Sequence, residues 1–373
     1  MKFVVSCTLL LSHLQTVGRV ITSKNAIPIL DSFLFELKGN ELTITASDVE
    51  TRMVTSIPVS DTDGDGTVAI TARNLLDSLK ELPEQPITFE IDDNKSILVL
   101  YENGKYNFIG EKGDDYPQPK PLKETAAELT LPSSVLFSGI NRALFATADD
   151  ELRPVMNGVF LDISTDDITF VASDGHKMVR YKTLEAKGTE RASFILPKKP
   201  ANLLKSILPK ESGDSKIIFD DSNAYFTLEN FRLTCRLIEG RYPNYNAVIP
   251  QDNPHKVLID RQLFVNALKR IAIFSNPASS LIKLQLSTNE IVVSAQDIDY
   301  STSAEEKIAC VYSGDNMNIG FKGTFLIEIL MNTPSSEVTL ELADPSRAGL
   351  ILPSENEENE ELLMLLMPMM LNE

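Results

Sequence analysis

Cysteine is scarce in this chain: Cys7, Cys235 and Cys310 are the only thiols in 373 residues. Three scattered thiols exclude a disulfide framework and a cysteine-based zinc site, and they fit a reducing compartment. Long apolar runs are missing too. No stretch reaches the roughly 20 apolar residues a membrane span needs, and no early apolar segment is flanked like a signal peptide. A soluble, cytoplasmic protein with no membrane contact is expected. Histidine is also rare, at three residues. No nucleophile motif accompanies them and no Gly-rich phosphate loop is present, so neither catalysis nor a cofactor is expected. Asp61 to Gly66 (DTDGDG) imitates the start of an EF-hand, but the twelfth position, where a bidentate glutamate belongs, is Ala72. The segment is read as a hairpin turn, and no metal site is expected.

What is present is a large apolar fraction, 43%, enough for two or three domains with real cores. The net charge of -18 argues at first sight against nucleic acid as a partner. The distribution of that charge along the chain points the other way.

A threefold repeat sets the architecture. Phe33-x-Phe35-x-Leu37 followed by Leu42 to Asp48 (LTITASD) recurs as Val159-x-Leu161-x-Ile163 followed by Ile168 to Asp174 (ITFVASD). It returns as Ile282-x-Leu284-x-Leu286 followed by Ile291 to Asp297 (IVVSAQD). Each copy alternates apolar and polar residues, the mark of a β-hairpin with one buried face. An amphipathic helix precedes each hairpin, with Leu10 and Leu14, Leu136 and Ile140, or Phe264 and Leu268 at i, i+4. A second helix follows, carrying Leu75-Leu76-x-x-Leu79, Leu203-Leu204-x-x-Ile207 or Leu326-Ile327-x-x-Leu330. Tyr116-Pro117 and Tyr242-Pro243 stand where successive repeats hand over, and the proline-rich PQPKP (117–121) reads as a linker. The expected fold is α+β: three pseudo-repeated domains, each with two helices packed on antiparallel sheets, over 1–124, 125–248 and 249–373.

Charge is sorted by element. The six expected helices (7–21, 72–80, 132–147, 197–208, 260–275 and 322–332) hold eleven basic residues and three acids, a surplus of eight. The remainder of the chain therefore carries -26 against the total of -18. A positive helical surface set against a negative remainder suits a DNA-facing lining, because Lys and Arg attract phosphates without reading sequence. Solvated helix faces are the plainer explanation of the same charge. Geometry adds a constraint. Six helices side by side at about 10 Å spacing make an axis circle about 19 Å across, too narrow for a roughly 20 Å duplex. Twelve make a circle of about 38 Å and leave roughly 28 Å free. A helix-lined DNA channel therefore requires a homodimer.

The three-part repeat, the Ala172-Ser173-Asp174-Gly175-His176-Lys177 turn, Gly240-Arg241-Tyr242-Pro243-x-Tyr245 and the terminal Leu366-Met367-Pro368-Met369 closely resemble the bacterial DNA polymerase III beta subunit family over the whole chain. The resemblance implies three DNA-clamp domains per protomer, closing as a ring in a head-to-tail homodimer around double-stranded DNA, helices inside and sheets outside. A clamp loader opens such a ring with ATP, and the clamp has no active site. It implies a pocket for short linear peptides, containing glutamine and apolar or aromatic residues, from the replicative polymerase, the clamp loader and repair proteins. Carried over by motif, the pocket wall is Met156, Ser173, Gly175, His176, Lys177, Met178, Pro243, Val248, Leu365, Met367, Pro368 and Met369. Methionines suit such a site, being adaptable apolar surface. The DNA-binding positions implied are Lys24, Arg73 and Arg153, and the helix cations Arg142, Lys198, Lys199, Lys205 and Lys269 join them. Tyr106 and Phe108 match one side of the dimer seam, Ile273 and Phe274 the other.

Two departures from the family pattern stand out. Met370 replaces the arginine of the usual Met-Pro-Met-Arg-Leu ending, with Asn372-Glu373 added, and an acidic insert, Glu355 to Glu361 (ENEENEE), precedes the last strand. Negative charge near the pocket is expected to disfavour acidic ligands. Two rival functions are a peptide-binding scaffold that never encircles DNA and a hydrolase built on Asp174 and His176.

Overall fold

Alternating side chains give each repeat its hairpin, and the computed structural model, which describes residues 1–22, 25–119, 121–123 and 125–371, pairs all three antiparallel. Phe35 faces Ile44, Leu161 faces Phe170 and Leu284 faces Val293 across their hairpins. In Thr51–Pro58 the pleat buries alternate residues along the strand, as one wet and one dry face require.

The six expected helices are α1 (Cys7–Val17), α2 (Ala72–Lys80), α3 (Ser133–Ala143), α4 (Lys198–Ile207), α5 (Arg261–Ala272) and α6 (Gly323–Met331). α1, α3 and α4 are each extended by one 3-10 turn. Start signals are local: Ser6 Oγ accepts the Leu9 N–H at 3.1 Å, and Asp260 Oδ1 accepts that of Leu263 at 2.7 Å. Each such N-cap is worth about 1 kcal/mol. Leu10, Leu14 and Val17 turn one face of α1 inward; Phe264, Leu268 and Ile271 do so for α5.

The chain forms two compact units. Residues 1–136 with 202–237 hold a five-stranded sheet in the order Ser60–Asp63, Lys2–Ser6, Pro86–Ile91, Ser96–Tyr101, Gly104–Ile109. They also hold a nine-stranded sheet that continues from Thr51–Pro58 of the first repeat into Phe231–Arg236 of the second. α1 packs on α2 here, and Phe3 stacks on Phe89 at 4.9 Å with Phe35 beside both. Residues 137–201 with 238–373 hold an eight-stranded sheet joining Lys177–Thr183 to Glu360–Leu366, a four-stranded sheet, and α5 packed on α6.

Two readings of the sequence change. The DTDGDG segment links two sheets rather than closing a hairpin: Ser60–Asp63 pairs with Lys2–Ser6, whereas Gly66–Thr71 pairs with Ser32–Lys38. Positive φ at Asp61 (46°) and Gly64 (74°) makes that change of direction, and Asp65 accepts the Gly39 N–H. The acidic insert lies at the end of its strand away from the pocket residues. Glu360 is in register with Thr183 and Leu366 with Lys177, so about 20 Å of strand separates them. There the insert meets cations, with Glu357 3.9 Å from Arg142 and Glu361 3.2 Å from Lys182.

Candidate functional site

Sequence makes the Ser173–Lys177 turn rigid. Asp174 Oδ1 accepts the backbone N–H of His176 (2.8 Å) and Lys177 (2.9 Å), while Ser173 Oγ donates to the Lys177 carbonyl and accepts the Gly175 N–H. Gly175 sits at φ 89°, where a side chain is strained, so the backbone favours glycine, and the Arg153 guanidinium lies close against it. With its carboxylate used to shape the backbone, Asp174 orients the turn rather than serving His176 as an acid–base partner.

Lys177 is buried. Its ammonium pairs with Glu328 of α6, lies 3.7 Å from Asp174 Oδ2 and sits 4.5 Å above the Phe325 ring. A buried ammonium needs such partners, since an unpaired one costs several kcal/mol or titrates away.

Behind the turn lies an apolar cluster of Met178, Leu365, Val171, Tyr242, Leu350 and Leu363, with Val155 and Phe160 packed on it. Met178 faces Leu365 across paired strands, and Tyr242 stacks on Phe160 at 4.6 Å with 3° between rings. Met156, buried on its own 3-10 turn, follows Pro154. The lip is exposed: Gly175, His176, Pro243, Val248 and Met367, the last at 42%. The tail is fixed on both sides, because Met367 donates its N–H to the His176 carbonyl and Met369 donates to Gly320, each at 2.8 Å. Pro368 and Met369 are half-buried. Of the twelve expected wall residues, Met156, Lys177, Met178 and Leu365 are buried, Ser173, Pro368 and Met369 are half-buried, and the rest are exposed. Burial pushes the phenols of Tyr242 and Tyr245 up, the latter to about 12 with help from its hydrogen bond to Asp162. Neither is tuned toward neutral pH as a catalytic acid or base would be.

Sequence reasoning missed Val171, Leu350 and Leu363, whose alternation says only that they are buried. It missed Phe325, whose ring is 6.1 Å from that of His176, and Lys322, whose ammonium is 4.4 Å above Phe325. Tyr242 was visible in the repeated Tyr-Pro, without its role.

The DNA-binding candidates are scattered among environments. Arg73 projects from α2 with 90% of its side chain exposed, Lys269 is exposed on α5 and Lys205 is half-exposed on α4. Lys198 pairs with Asp149 at 2.7 Å, Arg142 is largely covered, and Lys199 is half-exposed. Arg153 lies beside Gly175, its Nε 2.8 Å from Asp150 Oδ2, and it holds that carboxyl below its usual range. Lys24 lies outside the described residues. Arg261 is spent on structure, donating to the Leu330 and Ser335 carbonyls, and Arg270 pairs with Glu306. The helical surplus of positive charge is therefore partly neutralised. Arg19, Lys205 and Lys269 have no carboxylate within ion-pair reach among the described residues.

At the expected seam, Tyr106 and Phe108 sit half-buried on the edge strand Gly104–Ile109 with ring centroids 6.3 Å apart. Ile273 and Phe274 follow α5, 79% and 37% exposed. Among the described residues no cluster of three or more His, Cys, Asp or Glu could hold a metal, and no helix is long and apolar enough to cross a membrane.

Three sheet-backed repeats with six helices define a three-domain clamp. The chain belongs to the DNA polymerase III beta subunit family, whose N-terminal, central and C-terminal domain models match residues 1–120, 130–244 and 246–370. It is 28% identical to the beta sliding clamp of Pseudomonas putida over 98% of this chain and 99% of that one. It is 27% identical to that of Haemophilus influenzae over the full length of both. The crystal structure of the sliding clamp (DNA polymerase III subunit beta) from Pseudomonas aeruginosa bound to griselimycin superposes with a TM-score of 0.94 at 27% identity, covering all of each chain. The protein is a DNA sliding clamp, a processivity factor and not an enzyme.

Proposed function

We propose that two copies of this chain close head to tail into a ring around duplex DNA, with domains over 1–124, 125–248 and 249–373. In this reading the Met367 pocket receives short peptides from the replicative polymerase, the clamp loader and repair proteins in the cytoplasm. One observation carries the ring. In the first two repeats the third strand of the hairpin sheet is a junction strand: Thr51–Pro58 pairs with Phe231–Arg236, and Lys177–Thr183 pairs with Glu360–Leu366. The equivalent strand of the third repeat, Thr302–Ala309, is a sheet edge, and so is Gly104–Ile109, the first-repeat counterpart of Phe231–Arg236 and Glu360–Leu366. Long unpaired edges invite pairing. Joining each to the other in a second copy repeats the existing junction twice and closes the assembly. Tyr106 and Phe108 then lie on one side of the seam, with Ile273 and Phe274 near the other.

The exposed cations Arg73, Lys205 and Lys269, with Lys24, Arg142, Arg153, Lys198 and Lys199, supply sequence-independent attraction for phosphates. The contact need only be weak, because a closed ring is held by topology and must still slide. The test loads the protein onto nicked circular DNA with a clamp loader and ATP, washes at high salt, then cuts the circle once. Retention followed by release on cutting supports the ring. Loss in the wash, while a control clamp is retained, favours the scaffold reading.

A further inference from the structure

Taking the Met367 pocket as the peptide site, we infer that Lys322 makes it selective for partner peptides carrying an acidic side chain beside the apolar anchor, at the end that lies against Phe325. Lys322 closes the strand Met317–Lys322 and is the N-cap residue of α6. The tail reaches it from the pocket: Met367 is bonded to His176, and Met369 to Gly320, two residues before Lys322. Phe325 forms the floor between, 6.1 Å from the His176 ring and 4.4 Å beneath the Lys322 ammonium.

The cations around this rim are not equivalent. Lys177 is committed to Glu328 and Asp174, Arg153 to Asp150, and Lys198 to Asp149. Lys322 has a ring beneath it and no carboxylate within ion-pair reach among the described residues. A half-buried ammonium on an apolar lip gains most from an incoming carboxylate, which adds a charge-assisted hydrogen bond to the ring contact.

Asp149, Asp150 and Glu151 line a cavity of about 550 Å³ that borders His176 and Lys177 and does not include Lys322 or Phe325. The insert Glu355–Glu361 is at the far end of its strand, beyond the screening length of about 8 Å at physiological salt. The acidic preference belongs to one end of the peptide only.

The experiment measures fluorescence polarisation with full-length protein and labelled nonapeptides sharing one glutamine and leucine–phenylalanine anchors. One peptide carries Asp on the first flank, one Asp on the second, and controls carry Asn at each. One Asp peptide is expected to bind about threefold tighter than its Asn control, the scale of a solvent-screened ion pair. The ratio should persist in Lys322→Arg, vanish in Lys322→Met, invert in Lys322→Glu and shrink with salt. Equal binding of Asp and Asn peptides on both flanks, or a preference that survives Lys322→Met, overturns the inference while leaving the pocket standing. If the Asn peptides do not bind, or bind as well after Leu365→Ala with Met367→Ala, the pocket reading fails and takes this inference with it.

Discussion

Single residues differ in weight in the proposed pocket. Leu365 is buried and Met367 is exposed, so truncating both would remove an anchor surface at each depth. Leu365→Ala with Met367→Ala should abolish binding of a polymerase-derived peptide and leave the dimer mass unchanged; calorimetry that still recorded wild-type affinity would remove the assignment. Glu328→Ala leaves the Lys177 ammonium with Asp174 alone. Full loss of a buried pair costs about 3–5 kcal/mol, but Glu328 is 40% exposed and solvent replaces part of its role. A destabilisation of about 1–2 kcal/mol is expected in denaturant titration, with weaker peptide binding because the His176 turn loses its strut. His13 reports on the first repeat. Its Nδ1 is 2.8 Å from Thr55 Oγ1, and burial lowers its pKa, with Glu211 opposing. A lowered histidine binds fewer protons folded than unfolded, so its contribution is complete above the ordinary value of about 6.5 and is lost as pH falls toward the folded one. The melting midpoint should fall between pH of about 7.5 and 5.5, and His13→Gln should lessen that fall; parallel curves for the two proteins would refute it.

At the scale of elements, the proposed ring rests on the junction strands. Phe274 follows α5, which packs against the edge strand Thr302–Ala309, so a carboxylate there would be buried in the proposed seam. Phe274→Asp is expected to give monomers by light scattering, and an unaltered dimer mass would place the seam elsewhere. Helix positions were legible because apolar spacing is local, and the caps found at Ser6 and Asp260 are local too. The fate of DTDGDG was not legible. Turn chemistry fixes that the chain reverses there, but which sheet each flanking strand joins depends on partners more than 20 residues away.

Over the whole molecule, charge is organised without being uniform. The helical surplus survives at Arg19, Lys205 and Lys269, which have no carboxylate within ion-pair reach among the described residues, but part is met by Asp77 beside Arg73, and by Asp149, Glu306 and Glu357. Replacing Arg73, Lys205 and Lys269 together by Gln should slow loading onto nicked circles and make it less salt-sensitive, because fewer counterions are released. Clamps once loaded should still resist the wash until the circle is cut. Wash-sensitive loaded clamps would mean that phosphate contacts hold the protein, not topology. The repeat, the helix count and the sorting of charge follow from sequence alone, since periodicity and composition are properties of neighbouring residues. Tertiary structure alone decided that the acidic insert meets Arg142 and Lys182, that Lys177 is buried against Glu328, and that Lys322 shares the rim with Phe325 and His176. Those meetings depend on strand register and long-range packing, which bring together residues as far apart as Arg142 and Glu357 and leave no trace in local pattern.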